Sequence, residues 1–487
     1  MNKIIKNCFN VIFIICFGYI LYNAIFKNGV NLFSWNKLSI IIGVIVYILF
    51  LLACYKFIST RKTINTKVML PIILLFVFIF QIYVGELFKV SPNWDMKTIF
   101  DNAELYLKGE LDNLNYLYTY NNNIGIQIII ILLFKISDLI KVIVHYNIGI
   151  LFNIIMIDLS LVFTYLVAKK LFNNKKALMI FIMIASMTPI YLYASIVYTD
   201  TISMLFPVLI FYLYLLLKER KPKKERIILS ILTGIIIFLG STIKVTILIM
   251  PIAILLYELF ASKNKKKFVF YVFVITVSIL ITSVLWILTV RIIFNNWDSN
   301  DYKKFNFPLT HWIMMGLNDG GQYREEDVEF TSSFKTKQEK TENNLKIINR
   351  RIRWQNMNSI RRKLMCTWGD GTYYAVNTLD FDPINNGIHQ EFIFKRGEHH
   401  TFYQYYTQIQ HISIITLMII VSLFAIKKPE KNETILRLSI FGLFLFLLIW
   451  ETRSRYLVNY LPVMQIISFI GIEYICKSFN KIKVKNK

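Results

Sequence analysis

Apolar residues in this 487-residue chain come in runs close to the roughly 20 residues a helix needs to cross a bilayer. Twelve such runs stand near residues 8–26, 38–58, 68–88, 145–168, 177–195, 201–217, 227–239, 245–261, 269–292, 410–426, 438–450 and 456–475. The short runs at 227–239 and 438–450 borrow flanking residues to complete a span. The pattern predicts an all-α polytopic membrane protein with about 12 transmembrane helices. A further stretch, residues 123–143 (NIGIQIIIILLFKISDLIKVI), is interrupted by Lys135, Asp138 and Lys141.

Charge decides whether that stretch crosses. The chain is 55% hydrophobic and carries a net charge of +25. With a cytoplasmic N-terminus, the inner segments are the two tails and the loops 59–67, 169–176, 218–226, 262–267 and 427–437. They hold 28 Lys/Arg against 4 Asp/Glu, almost the whole net charge. The outer segment 294–409 holds 15 basic and 14 acidic residues. This bias toward the cytoplasmic side sets the topology, and it makes the basic runs topological signals that touch anionic lipid rather than nucleic acid. Counting 123–143 as a span would put Lys169, Lys170, Lys175 and Lys176 outside and invert every later loop. It is therefore read as a surface or re-entrant helix. The run at 8–26 is long for a signal-peptide core and lacks a small-residue cleavage site, so it counts as a span. The reading is a plasma-membrane protein with both termini cytoplasmic and 294–409 extracytoplasmic. Of the five cysteines only Cys366 lies outside, which leaves no outer disulfide.

The organisation that follows is two N-terminal spans in 1–67, a module of spans in 68–293 with its first outer loop at 89–144, the outer segment 294–409, and three spans with a basic tail in 410–487. After Asp95 the apolar positions Ile99, Ala103, Leu107, Leu111 and Leu114 make one helical stripe, which predicts a helix on the outer interface. Residues 294–409 contain Gly-Gly and Asp-Gly turns and a charged helical stretch at 338–365, as a small, mainly helical cap would.

Polar residues gather at the outer ends of the spans: Asp95; Asp200 within Tyr198-Thr199-Asp200; Lys244 after Ser241 and Thr242; and Glu451, Arg453 and Arg455 within ETRSRYLVNYLP. Asp95 and Asp200 each have a plain explanation as helix caps. Arg453 and Arg455 have one as interfacial anchors. Lys244 sits on the side positive charge avoids, so it either snorkels or meets an anion. Asp158 lies in mid-span, where a carboxylate is functional unless it bonds a neighbouring helix, with Asn153 as one partner. His311, beside Trp312 in the cap, reads as a packed or surface histidine, and the arginines of 338–365 as a solvated face.

The segments PNWDMKTIFDNA (92–103), YASIVYTDT (193–201), LTHWIMMGLNDGGQY (309–323), WGDGTYY (368–374) and ETRSRYLVNYLP (451–462) resemble in order and placement the GT-C superfamily of membrane glycosyltransferases. The likeness is to the protein O-mannosyltransferase and aminoarabinose-transferase branch, and in wording to a Gram-positive integral membrane family found beside exosortase-like proteins. It covers the chain from about residue 68. Where many members of the superfamily carry Asp-Glu, this chain has Asp95-Met96. The resemblance implies a polyprenyl-phosphate-linked sugar donor, with the glycan, lipid or protein acceptor left open. It implies Asp95 as catalytic carboxylate, Asp200 as its partner (the two as a pair of ligands for Mg or Mn), and Lys244, Arg453 and Arg455 on the donor phosphate. Asp101, His311 and Glu451 are further candidates for the lining of the site. Rival readings are a transporter or flippase, a cell-envelope polysaccharide polymerase, and a non-catalytic scaffold. A transferase requires Asp95, Asp200, Lys244, Arg453 and Arg455 to line one outward-facing cavity.

Overall fold

In a bilayer each backbone polar group must be satisfied within its own segment, which leaves helices or closed barrels. The computed structural model describes residues 3–27, 35–61, 64–142, 144–220, 222–262, 264–427 and 430–485, without the side chains of Lys3 and 480–485. Lys62, Lys221, Lys263 and Lys428 of the basic loops lie outside the described residues. The described chain is all-α, with one isolated bridge between Val90 and Pro383. It is a polytopic membrane protein: among the described residues, eleven helical stretches are long and apolar enough to cross a membrane.

The first spans are α1 (Lys3–Phe26), α2 (Lys37–Thr60) and α3 (Thr66–Leu87). The first outer loop forms α4 (Trp94–Lys108), α5 (Asn115–Thr119) and α6 (Ile124–Leu139). Then come α7 (His145–Leu171), α8 (Asn174–Ala185), α9 (Pro189–Leu192), α10 (Thr199–Ile202), α11 (Leu205–Glu219), α12 (Lys223–Ile243), α13 (Ile249–Ala261) and α14 (Lys265–Ile293). The outer segment carries α15 (Ser299–Phe305), α16 (Leu309–Gly316), α17 (Glu325–Ser332), α18 (Lys337–Trp354), α19 (Met357–Trp368), α20 (Ala375–Leu379) and α21 (Ile388–Ile393). The chain closes with α22 (His400–Lys427), α23 (Lys431–Ile449) and α24 (Leu461–Lys485). Helix α22 begins ten residues before the predicted span at 410, so the Tyr-rich stretch 401–408 belongs to a membrane helix.

Contacts sort the segment ends into two faces. At one face the basic loops meet acidic partners: Lys170 with Glu219 and Lys176 with Glu473, both at 2.5 Å, and Lys218 and Lys431 with Glu258, both at 2.8 Å. Lys175 there donates to the Arg61 carbonyl. The other face holds Tyr146, which donates to the Ser195 carbonyl, and the Asp200–Lys244 pair.

Helix α6 is within the length and composition of a span, but both of its ends lie at this second face. At its start Asn123 bonds Tyr116 and Tyr198. At its end Asp138 bonds His145, the first residue of α7 and neighbour of Tyr146, and His145 also bonds Glu104 of α4. Between these points α6 lies along α4 through Gln127, which accepts from Asn102 and donates to the Ile99 carbonyl. It does not cross. Two shorter segments do. One is α8 with α9, which runs from Lys175 to the Ser195 region, and the other is Val245–Ala261, which runs from Lys244 to Glu258. With the remaining ten of the eleven, these two would make twelve crossings among the described residues.

Buried charge ties the bundle together. Arg437, fully buried, is held by Glu433 at 3.2 Å, Asn10 at 2.6 Å and Ser422 at 3.0 Å, and Tyr474 donates to Glu433 at 2.5 Å. A charge this deep persists only when it is paired and hydrogen-bonded, so this cluster pins α1, α22, α23 and α24 to one another. In the outer segment a capping box, Thr336 with Glu339, starts α18. The charged stretch 338–365 is two helices rather than one solvated face: Arg351 makes a bidentate pair with Asp327 at 2.6 and 2.8 Å, Arg362 bonds Asp319 at 2.6 Å, and Lys363 is buried.

Single cysteines at Asn122→Cys, Lys141→Cys and Asp319→Cys, in a background without the five native cysteines, are expected to react with an impermeant maleimide from one side of the membrane and Lys175→Cys from the other. Labelling of Lys141→Cys together with Lys175→Cys would mean that α6 crosses.

Candidate functional site

The site begins with a break in the bundle. After α9 the chain runs through residues 193–198 without a helix, and Asn153 of α7 replaces the missing backbone partners. Its Nδ2 donates to the carbonyls of Tyr193, Ala194 and Ile196 at 2.7–3.2 Å, and its Oδ1 accepts from Thr201 at 2.6 Å. Ser195 donates to the Phe88 carbonyl at 2.9 Å. This segment delivers Tyr198 and Asp200 to the face opposite the basic loops. Asn153 therefore serves this turn and not Asp158, whose Oδ1 is buried without a partner and which does not line the cavity described next.

Asp95, Asp200, Lys244, Glu451, Arg453 and Arg455 all line one cavity of about 940 Å³ on the second of the two faces, away from the basic loops. Asp200 is 2% exposed, bonds the Lys244 ammonium and lies 3.9 Å from Arg455 Nε. Lys244 also lies over the Tyr456 ring at 4.7 Å, and Arg455 over Tyr198 at 5.7 Å. Burial pulls the Lys244 ammonium below its ordinary range, and Asp200 opposes that pull. Glu451 accepts from Tyr456 at 2.7 Å, and burial pushes its carboxyl up against the opposing pull of Arg455. Arg455 Nε is buried with no hydrogen-bond partner, since 3.9 Å exceeds hydrogen-bond length.

Asp95 stands in the first turn of α4, but neither of its oxygens caps the helix. Oδ1 accepts from Tyr116 at 2.9 Å and Oδ2 from Tyr198 at 3.0 Å. Asn123 braces both tyrosines, donating to Tyr116 at 2.7 Å and accepting from Tyr198 at 3.1 Å. Asp200 makes ion pairs in place of a cap. The bland reading therefore fails for both carboxylates.

The arginine hairpin 450–455 is clamped from outside. Lys363 donates to the carbonyls of Gly316 and, at 2.9 Å, Trp450; burial pushes its ammonium down to about 7. Thr367 bonds Thr452 at 2.9 Å. A Cβ on Gly316 would lie 2.3 Å from the Trp450 carbonyl carbon, so only glycine lets α16 approach this closely. The motif WGDGTYY closes the other flank. Tyr373 and Tyr374 both adopt positive φ, 53° and 64°, a conformation held only where its surroundings over-determine it. Tyr373 donates to His411 Nδ1 at 2.8 Å, and its carbonyl accepts from Tyr193 at 2.6 Å. Asp370 accepts from Thr372 and Ser454, both at 2.7 Å. The result is a Tyr374 hydroxyl that accepts from Arg453, with the guanidinium 4.7 Å from the ring centre.

Two candidates stand elsewhere. Asp101 is exposed, pairs with Lys97 at 2.6 Å and does not line the cavity. His311 is fully buried behind Trp312; its Nδ1 bonds Thr331 at 2.7 Å, and burial pushes the imidazole down to about 4. The residues that sequence reasoning missed are Asn93, Tyr116, Tyr120, Asn123 and Tyr374.

Asp200 already pairs with Lys244 and lies near Arg455, and each oxygen of Asp95 accepts one tyrosine hydroxyl hydrogen. Among the described residues, three ligand-type groups converge at Glu391, Glu398 and His399, none of which lines the cavity.

No curated protein sequence matches the chain. Among solved structures it is similar to the archaeal oligosaccharyltransferase AglB from Archaeoglobus fulgidus, solved in complex with an inhibitory peptide and a dolichol-phosphate. That likeness has 10% identity and a TM-score of 0.45 over 84% of this chain and 51% of that one, so the chain spans about half of that protein's length. Over residues 1–475 the sequence matches a family described as conserved hypothetical integral membrane protein, and the chain belongs to that family.

Proposed function

We propose that the protein is a membrane glycosyltransferase of GT-C type, which moves a sugar from a polyprenyl-phosphate donor to an acceptor hydroxyl on the extracytoplasmic face of the plasma membrane. One observation carries this reading: a single cavity at the outer ends of the spans holds three cations, Lys244, Arg453 and Arg455, together with a hydroxyl-held carboxylate, Asp95. The orphaned Nε of Arg455 adds to it. A buried donor left unpaired costs about 1–3 kcal/mol, which a phosphate oxygen would recover. Trp286, Phe446 and Trp450 give the cavity an apolar wall suited to an isoprenoid chain, with the Phe446 and Trp450 rings 5.0 Å apart.

In this reading the donor phosphate sits against Lys244, Arg453 and Arg455, and Asp200 orients two of the three. The acceptor oxygen attacks the anomeric carbon from the side opposite the phosphate. The new C–O bond forms as the bond from the anomeric carbon to the phosphate oxygen breaks. The electron pair leaves with the phosphate, whose growing charge the cations stabilise, and the acceptor's proton passes to Asp95. A single displacement of this kind inverts the anomeric configuration. Tyr116 and Tyr198 hold the carboxylate in line. The carrier reading loses its best residue, since Asp158 does not face the cavity.

Membranes carrying Asp95→Asn, supplied with polyprenyl-phosphate sugar, are expected to contain normally inserted protein and to lose transfer by about 100-fold or more. Full transfer would remove Asp95 from the chemistry. Arg455→Lys keeps the charge but loses Nε. It is expected to weaken donor binding by about tenfold or more, in line with roughly 1.5–3 kcal/mol for a hydrogen bond to a charged group, as read by displacement of labelled polyprenyl phosphate. Unchanged displacement would mean that the orphaned Nε meets no phosphate.

A further inference from the structure

Asn93 has no part in the chemistry above. It is 6% exposed, lines the cavity two residues before Asp95, and its Nδ2 is buried with no acceptor. It is the N-cap residue of α4, yet its side chain makes no capping bond, so capping does not account for it. An unpaired buried amide is costly, and this one belongs to a residue of the cavity wall two positions from Asp95. The Asp95 carboxylate offers acceptors and the Asn93 amide offers donors. A ligand that satisfies both must present oxygen that accepts next to hydroxyl that donates.

The walls around this pair narrow the ligand class. The Trp94 ring is 52% exposed and lies 4.6 Å from that of Phe381. Tyr120 stands 5.3 Å from Tyr116 and 6.0 Å from Trp312. Tyr323 donates to Glu325 at 2.5 Å. Aromatic faces take the C–H face of a sugar ring, while amides and a carboxylate take its hydroxyls. Among the described residues that line the cavity, the only Lys and Arg are Lys244, Arg453 and Arg455, which belong to the cluster around Asp200 and the hairpin. The nearest of these to Asp95, Arg455 over the Tyr198 ring, is already directed toward Asp200, and Glu325 would repel a phosphate or carboxylate on the ligand.

We propose that the Asn93–Asp95 end of the cavity is the acceptor subsite and that its ligand is a neutral saccharide. One saccharide oxygen accepts from Asn93 Nδ2, and the reacting hydroxyl donates to Asp95. This assignment rests on the transferase reading.

The test uses the full chain in nanodiscs of phosphatidylcholine and phosphatidylglycerol, applied to an array of neutral oligosaccharides, phosphorylated oligosaccharides and Ser/Thr-rich peptides. Binding of radiolabelled polyprenyl phosphate is measured on the same preparations. Retention on neutral oligosaccharides alone is expected, with a loss of at least about tenfold in Asn93→Asp, which is isosteric, and in Trp94→Ala. Polyprenyl-phosphate binding by the variants shows that they are folded. Retention on phosphorylated glycans or peptides instead, no retention at all, or wild-type retention by Asn93→Asp overturns the acceptor assignment. Failure of the wild type to bind polyprenyl phosphate counts against the transferase reading itself, whatever the array shows.

Discussion

The pairing of Asp200 with Lys244 and Arg455 is the constraint on which the cavity face of the bundle depends. Three cations line a single cavity at the ends of apolar helices, where charges repel strongly and hydration is poor. One carboxylate, 2% exposed, offsets part of that repulsion and fixes the direction of two of the three. It leaves the arrangement incomplete, because Arg455 Nε has no acceptor. A fully satisfied cluster would be a structural lock, whereas this one keeps a buried unmet donor in the cavity wall, and the proposed phosphate site rests on it.

The rest of the outer architecture serves to hold that cluster. Asn153 stabilises the helix-free turn that delivers Asp200. Lys363 and the close approach of Gly316 clamp the hairpin that carries Arg453 and Arg455. Two successive tyrosines in a left-handed backbone place the Tyr374 hydroxyl on Arg453. Opposite these, Tyr116, Tyr198 and Asn123 aim Asp95. Asp95 is thus held from two directions, by Tyr116 and Asn123 of the loop between α3 and α7 and by Tyr198 of the turn that also carries Asp200.

Much of this was legible before the structure, for one physical reason: the positive-inside bias assigns a side of the membrane to every loop. It set the 123–143 stretch apart from the spans, and it gathered Asp95, Asp200, Lys244, Glu451, Arg453 and Arg455 at one depth; all six line one cavity. Asp101, carried as a candidate for the lining, is turned away by helix geometry. At about 100° per residue it points to a different face of α4 from Asp95, and Lys97 stands four residues before it to pair with it. His311 was chosen for its residue type, and burial makes it a core histidine. The partners of Asp95 left no local signal. Tyr198 meets it across 103 positions of sequence, and Asn93 reads as an ordinary helix cap until its side chain is seen to make no capping bond.

The most direct measurement is an experimental structure of the full chain in nanodiscs with a polyprenyl phosphate bound. The account predicts phosphate density between Lys244, Arg453 and Arg455, with one oxygen within hydrogen-bond distance of Arg455 Nε and the isoprenoid chain along Trp286 and Phe446. A phosphate bound outside this cavity, or within it but with Arg455 Nε still unpartnered, would contradict the account.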